Sequence, residues 1–222
     1  MSLPGSSLAQ RPLHFFVVAD CSGSMAADGK MPALNNAMRE TIPHLVEVSD
    51  HNPHAMVMVR VLAFSTGAWW HVGTPTPVEK FRWTDLEASG YTDLGAAMRE
   101  LAGQLRQPPM EERALPPAIV LISDGLPTDD YRSALNALLD EPWGARSIRL
   151  AVAIGRDADR TMLNEFVSSP ELEALTANNP EQLAHVLRWA STHASKAAST
   201  ATALPSFGPR ALELDSEQDR TW

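Results

Sequence analysis

A single cysteine, Cys21, occurs in 222 residues, which excludes a disulfide within the chain and suits a reducing compartment. Basic residues are in deficit, 18 against 27 acids, and the net charge of −9 argues against any mainly electrostatic attraction to nucleic acid or an anionic membrane. The acids are dispersed, so no block of like charge marks an interaction tail. Long apolar runs are missing as well. None approaches the ~18 residues of a membrane span, and the opening MSLPGSSLAQRP holds no apolar segment of the kind a secretory leader needs. These absences set the expectation of a cytoplasmic protein with neither a membrane nor a nucleic-acid partner. The seven histidines are scattered without metal-ligand spacing, and no G-x-G-x-x-G or P-loop follows a strand-like run. Imidazole or thiolate zinc sites and nucleotide binding therefore find no support.

What is there has an ordinary globular composition, 44% apolar and 20% charged, in a length that suits one large domain with tails. The expected division is a flexible segment over 1–11, a domain over 12–198 and a flexible tail over 199–222. HFFVVA (14–19) reads as a strand buried on both faces, and AIVLIS (118–123) is the most apolar strand of the chain. HAMVMVRVLAF (54–64) and AWWHVG (68–73) are joined by STG, a link short enough for a hairpin and far too short for a parallel crossover. The stretch 74–90 reads as loop, and SIRLAVAI (147–154) and ELEALT (171–176) complete the strands.

Helical spacing runs from about Pro32, where Leu34, Met38, Ile42, Leu45 and Val46 share a face, with Pro43 expected to kink or split the helix. A second helix follows Thr92 or Asp93 as its cap, and others are expected near 130–140, 159–167 and 180–198. Strands alternating with helices predict a three-layer α/β fold, Rossmann-like, with a mostly parallel central sheet and one antiparallel edge strand.

In such sheets the site forms beyond the carboxyl ends of the strands, where the loops converge. There the chain places Asp20, Ser22 and Ser24 after the first strand and Asp124 after AIVLIS, with Thr92 at the intervening loop-to-helix junction. All five are oxygen donors. Hard oxygens without imidazole or thiolate favour Mg²⁺, with Mn²⁺ or Ca²⁺ as alternatives. Alternate residues of an extended turn project to one side, so Ser22 and Ser24 can act together while Gly23 lets the backbone bend. The competing reading is that the two acids cap helices and the serines form turns.

DCSGS, the threonine of GYTDLGAAM and the aspartate of LISDG resemble the metal-ion-dependent adhesion site (MIDAS) of von Willebrand factor A domains. The family pattern, DxSxS followed by a threonine and an aspartate, falls on Asp20, Ser22, Ser24, Thr92 and Asp124, and the order of elements agrees over roughly residues 12–198. The resemblance implies a domain that binds proteins through a cation whose last coordination position takes a partner's Glu or Asp. RPLHFFVVADCSGSM, LISDGLPTD and the closing LRWAS helix look most like stand-alone bacterial TerY-type proteins of tellurium-resistance and stress operons. That likeness implies a kinase or PP2C-type phosphatase as partner.

Met25, Tyr91 and Leu126 adjoin the ligands and are expected to rim the crevice, or else to pack within their loops. Cys21 lacks a histidine motif and is expected to pack, and of Trp69 and Trp70 one should point inward. The rival class is a Mg²⁺-dependent phosphotransferase or phosphatase of haloacid-dehalogenase type. It requires an acid two residues after the first aspartate, where this chain has Ser22, and a lysine, for which Lys30, Lys80 and Lys196 offer no convincing position. No catalysis is therefore expected.

Overall fold

The computed structural model describes residues 10–156, 158–169 and 172–199. The expected end segments, 1–11 and 199–222, lie almost wholly outside the described residues.

β1 (Arg11–Asp20) contains HFFVVA and is buried from Leu13 onward. It pairs in parallel with β2 (Ala55–Ser65) on one side and with β4 (Ala118–Ser123) on the other. β5 (Ile148–Ile154) pairs in parallel with β4, and the three-residue β6 (Leu175–Ala177) with β5. β3 (Gly67–Pro77) runs antiparallel to β2, giving the order β3-β2-β1-β4-β5-β6. The STG hairpin forms as its length requires. β3 runs four residues beyond the expected strand, through Pro75 and Pro77, into a stretch that reads as loop. Prolines are tolerated because β3 is an edge, where one row of N–H groups has no strand to bond.

Successive residues of β1 point to opposite faces, and each face acquires its own core. Phe15, Val17 and Ala19 pack with Leu34 and Met38 of α1 (Lys30–Asp50) and Leu183 and Leu187 of α6 (Pro180–Ser199). Phe16 and Val18 pack with Leu94, Met98 and Leu101 of α2 (Leu94–Gln104) and Leu138 of α3 (Tyr131–Asp140). Two short helices, α4 (Pro142–Arg146) and α5 (Arg160–Phe166), complete the layers.

Pro43 neither splits nor ends α1, which is continuous over 21 residues. The apolar residues on either side of the proline, Met38 and Leu45, are buried in the same core, so packing holds both halves in line despite the lost hydrogen bond. Cys21 is fully buried, in line with the packing role expected for it, and burial above all, with Asp20 beside it, pushes its thiol pKa up to about 12. Trp70 packs on Phe16 while Trp69 is exposed on the opposite face.

Candidate metal centre

The carboxyl ends of β1 and β4 lie side by side because the strands are paired in register, Ala19 opposite Ile122. This brings Asp20 and Asp124 together although 104 positions separate them in the chain. Both are buried.

Asp20 has both oxygens engaged. Oδ1 accepts from the Ser22 backbone N–H at 2.8 Å, closing the turn on itself, and Oδ2 accepts from Ser123 Oγ at 2.5 Å. Burial raises the pKa of this carboxyl, and Asp124 raises it further, against the lowering effect of the Ser123 and Ser22 hydrogen bonds. A positive charge in the crevice would act in the opposite sense. Ser22 Oγ and Ser24 Oγ are 3.0 Å apart, and Ser24 Oγ donates to Asp124 Oδ1 at 2.7 Å. Four of the five expected ligands are thus joined in one polar cluster.

Thr92 is buried at the start of α2 and reaches the same place from the side. A Cβ built on Gly125 would lie 3.6 Å from both Ser24 Oγ and Thr92 Oγ1, so the two hydroxyls flank one point next to Asp124. The loop after β4 holds Thr92 there. Thr128 N–H donates to Thr92 O at 2.9 Å, and Thr92 N–H donates to Thr128 Oγ1 at 3.1 Å. Thr128 Oγ in turn donates to Asp93 Oδ1 at 2.7 Å.

Neither Thr92 nor Asp93 caps α2 through its side chain. The cap comes from 34 residues away: Asp129 accepts from Gly95 N–H at 2.7 Å and from Ala96 N–H at 2.9 Å. Gly95 permits this approach, since a Cβ there would stand 2.7 Å from Asp129 Oδ2.

Of the two expectations for the neighbouring residues, rim or packing, Met25 follows packing: within the 3-10 turn Gly23–Gly29 it is fully buried in the core shared with α1. Tyr91 and Leu126 are each 67% exposed beside the ligands.

Sequence reasoning missed Lys30, and the view that no lysine occupies a convincing position is corrected. Lys30 opens α1, is buried, and its Nζ donates to Asp124 Oδ2 at 2.6 Å. A legible signal existed, for a lysine in the first turn of a helix opposes the helix dipole and calls for an acidic neighbour. Ser123, Thr128 and Asp129 also escaped notice, being short polar residues in loops.

The cluster can present three neutral hydroxyls and two carboxylates to a hard cation. Among the described residues no group of three or more His, Cys, Asp or Glu could hold a metal, so the hydroxyls are indispensable to any such role.

A family model for the von Willebrand factor type A domain matches residues 15–188. No curated protein sequence matches the chain. Among solved structures, von Willebrand factor type A from Catenulispora acidiphila is similar with a TM-score of 0.63 at 18% identity, over 83% of this chain and 43% of that one. A mutant of the PilB minor pilin from Streptococcus sanguinis gives 0.65 at 14% identity, over 88% and 64%. Proximal thread matrix protein 1 from the mussel byssus, solved with a zinc-occupied MIDAS motif, gives 0.60 at 15% identity, over 84% and 46%. The present chain spans less than two thirds of each of these, and at such identities the shared property is the fold.

Proposed function

The chain belongs to the von Willebrand factor type A family, and from that premise we propose that its crevice holds a divalent cation and binds through it a Glu or Asp of a partner protein. Domains of this family often serve as metal-dependent interaction modules. The observation that carries the reading is the polar chain Ser22 Oγ, Ser24 Oγ, Asp124 Oδ1, whose links measure 3.0 and 2.7 Å at the mouth of two parallel strands. Strand pairing brings the two ends together, and the Ser24 hydroxyl then bonds directly to a carboxylate 100 positions away.

Asp20, Ser22, Ser24, Thr92 and Asp124 are the proposed ligands, directly or through water. When bound, a dication in such a set supplies a Lewis-acidic charge to which an outside carboxylate oxygen can bind. Ser22 and Ser24 contribute oxygen without charge. Asp20, fixed at both oxygens, and Asp124 contribute the charge. Tyr91 and Leu126 offer exposed apolar surface around the approaching carboxylate.

Mg²⁺ is the proposed cation on the all-oxygen donor set, and the zinc seen in the mussel protein's MIDAS motif extends the candidates to other dications. A TerY-type role, with a kinase or PP2C-type phosphatase as partner, rests on the sequence resemblance alone. A location in the cytoplasm is likewise part of the proposal; no helix among the described residues is long and apolar enough to cross a membrane.

No catalysis is assigned to the chain. Lys30 brings to Asp124 the ammonium that a phosphotransferase would need, yet both oxygens of Asp20 are already bonded and the residue is fully buried, which suits a fixed ligand better than a nucleophile. Ser22 still stands where that chemistry needs its acid.

Affinity capture on the immobilised full chain, with Mg²⁺ or with EDTA, tests the proposal. Partners should be retained with Mg²⁺ and lost with EDTA, and Asp20→Ala should lose them in both. The same partners retained under all conditions would place binding elsewhere.

A further inference from the structure

Asp124 is a shared carboxylate. Its Oδ1 faces Ser24 and the proposed ligands, while its Oδ2 is held from the other side by Lys30 Nζ at 2.6 Å. The pair is removed from water, with the two side chains 9% and 0% exposed. The fold keeps a slot for the lysine: at Gly155, just past β5, a Cβ would lie 3.3 Å from Lys30 Cε and 3.6 Å from Nζ. Gly155 has a φ of +83°, and its N–H donates to Ala177 O at 2.9 Å, so the backbone wall of this slot is fixed by pairing with β6.

We propose that Lys30 is a positioning and charge-setting residue that makes cation binding and partner-carboxylate binding depend on each other. The inference rests on the metal reading above. With both carboxylates ionised, Asp20 and Asp124 bring two negative charges and Lys30 returns one. A dication entering this site leaves an excess of one positive charge in a buried, weakly screened place, which an anionic oxygen from outside neutralises. The metal alone is therefore held weakly, and metal with carboxylate is held well. By linkage the carboxylate gains as much from the cation as the cation gains from it. Without the lysine the two acids would balance the dication's charge by themselves, and an outside carboxylate would gain the metal bond without the added neutralisation of an excess charge. Lys30 also fixes the orientation of the Asp124 carboxylate, holding one oxygen while the other faces Ser24.

The test uses Mn²⁺ as the probe metal and acetate as the model carboxylate, with the full chain, Lys30→Met, Lys30→Gln and Lys30→Arg, each checked for folding by circular dichroism. Mn²⁺ affinity is measured by calorimetry in chloride buffer with and without acetate. Acetate's own affinity for Mn²⁺ in solution is common to every chain and cancels in the comparison. The parent should bind Mn²⁺ weakly and more tightly with acetate. Lys30→Met should bind Mn²⁺ about tenfold or more tightly without acetate and show a clearly smaller acetate effect than the parent. Lys30→Gln, which keeps a donor for Asp124 but no charge, should follow Lys30→Met if that variant fails to fold, and Lys30→Arg should follow the parent. Equal Mn²⁺ affinity and equal acetate response in the parent and the neutral variants would overturn the role of Lys30 and leave the metal site standing. Failure of every folded chain to bind Mn²⁺ would overturn the metal reading and this inference with it.

Discussion

A buried ionisable residue is cheap only where its partners hold it in one charge state, and His14 shows this on the face of the sheet packed against α2. It is buried between Arg60 of β2 and Glu111 of the loop before β4. Arg60 can only donate, so the 3.2 Å contact from its Nη2 makes His14 Nδ1 the acceptor and leaves Nε2–H to donate to Glu111 Oε2 at 2.6 Å. Arg60 lies over the Phe16 ring at 4.4 Å, and burial lowers the arginine's own pKa to about 10. Burial, chiefly, with Arg60 adding to it, lowers the pKa of His14 below 6.5, outweighing the contrary pull of Glu111. The sign follows: the unfolded chain takes up a proton near pH 6.5 while the folded chain does not. Stability from a neutral His14 is complete above that pH and lost as pH falls through the lowered folded value. The parent should therefore lose more thermal midpoint than His14→Gln between about pH 7.5 and about pH 5.5. Identical losses would show that His14 titrates as it does in the unfolded chain. At this scale Asp20, Ser22, Ser24 and Asp124 could be named as candidate ligands because they follow two apolar strands, and Thr92 because it stands where a loop enters a helix. Lys30 carried only the weaker signal of its place in the first turn of a helix, and the acid it pairs with lies 94 positions away.

Among the elements, α2 depends most on a distant loop. Its first free N–H groups are capped by Asp129, which also meets Arg99 at 3.3 Å, and the same loop clasps Thr92 through Thr128. Asp129→Ala should cost about 1–2 kcal/mol, a fall in thermal midpoint of about 2–8 °C for a chain of this size. It should also weaken Mg²⁺-dependent partner retention, since Thr92 is tethered to the loop that Asp129 anchors. Calorimetric melting of the variant checks the first outcome; an unchanged midpoint would mean that water caps the helix equally well. Apolar periodicity was enough to place α1, α2 and α3, because each buries one stripe against a sheet face. It failed at Pro43 and at the end of β3, where tertiary packing and an edge position override local rules. The cap of α2 was invisible for a third reason, namely that capping partners need not be neighbours in sequence.

For the molecule as a whole, alternation of strand and helix sufficed to give the three-layer order, since parallel strands require crossovers and a three-residue link permits only a hairpin. β1 and β4 are the two central strands of the sheet and feed both cores, and the proposed site forms where their carboxyl ends meet. The same architecture leaves Tyr91 and Leu126 exposed beside the proposed ligands, and Tyr91→Ser combined with Leu126→Ser should weaken partner retention about tenfold or more. Mg²⁺ affinity, measured in parallel by calorimetry, should be unaffected; retention unchanged in the double variant would move the contact off this rim. The two borders of the sheet carry a different consequence. One is β3, interrupted by Pro75 and Pro77, and the other is β6, three residues long. Neither border presents the long unbroken ladder on which a stray strand could template itself, so the fold is guarded against stacking into fibrils even though its central strands are among the most aggregation-prone kind of sequence.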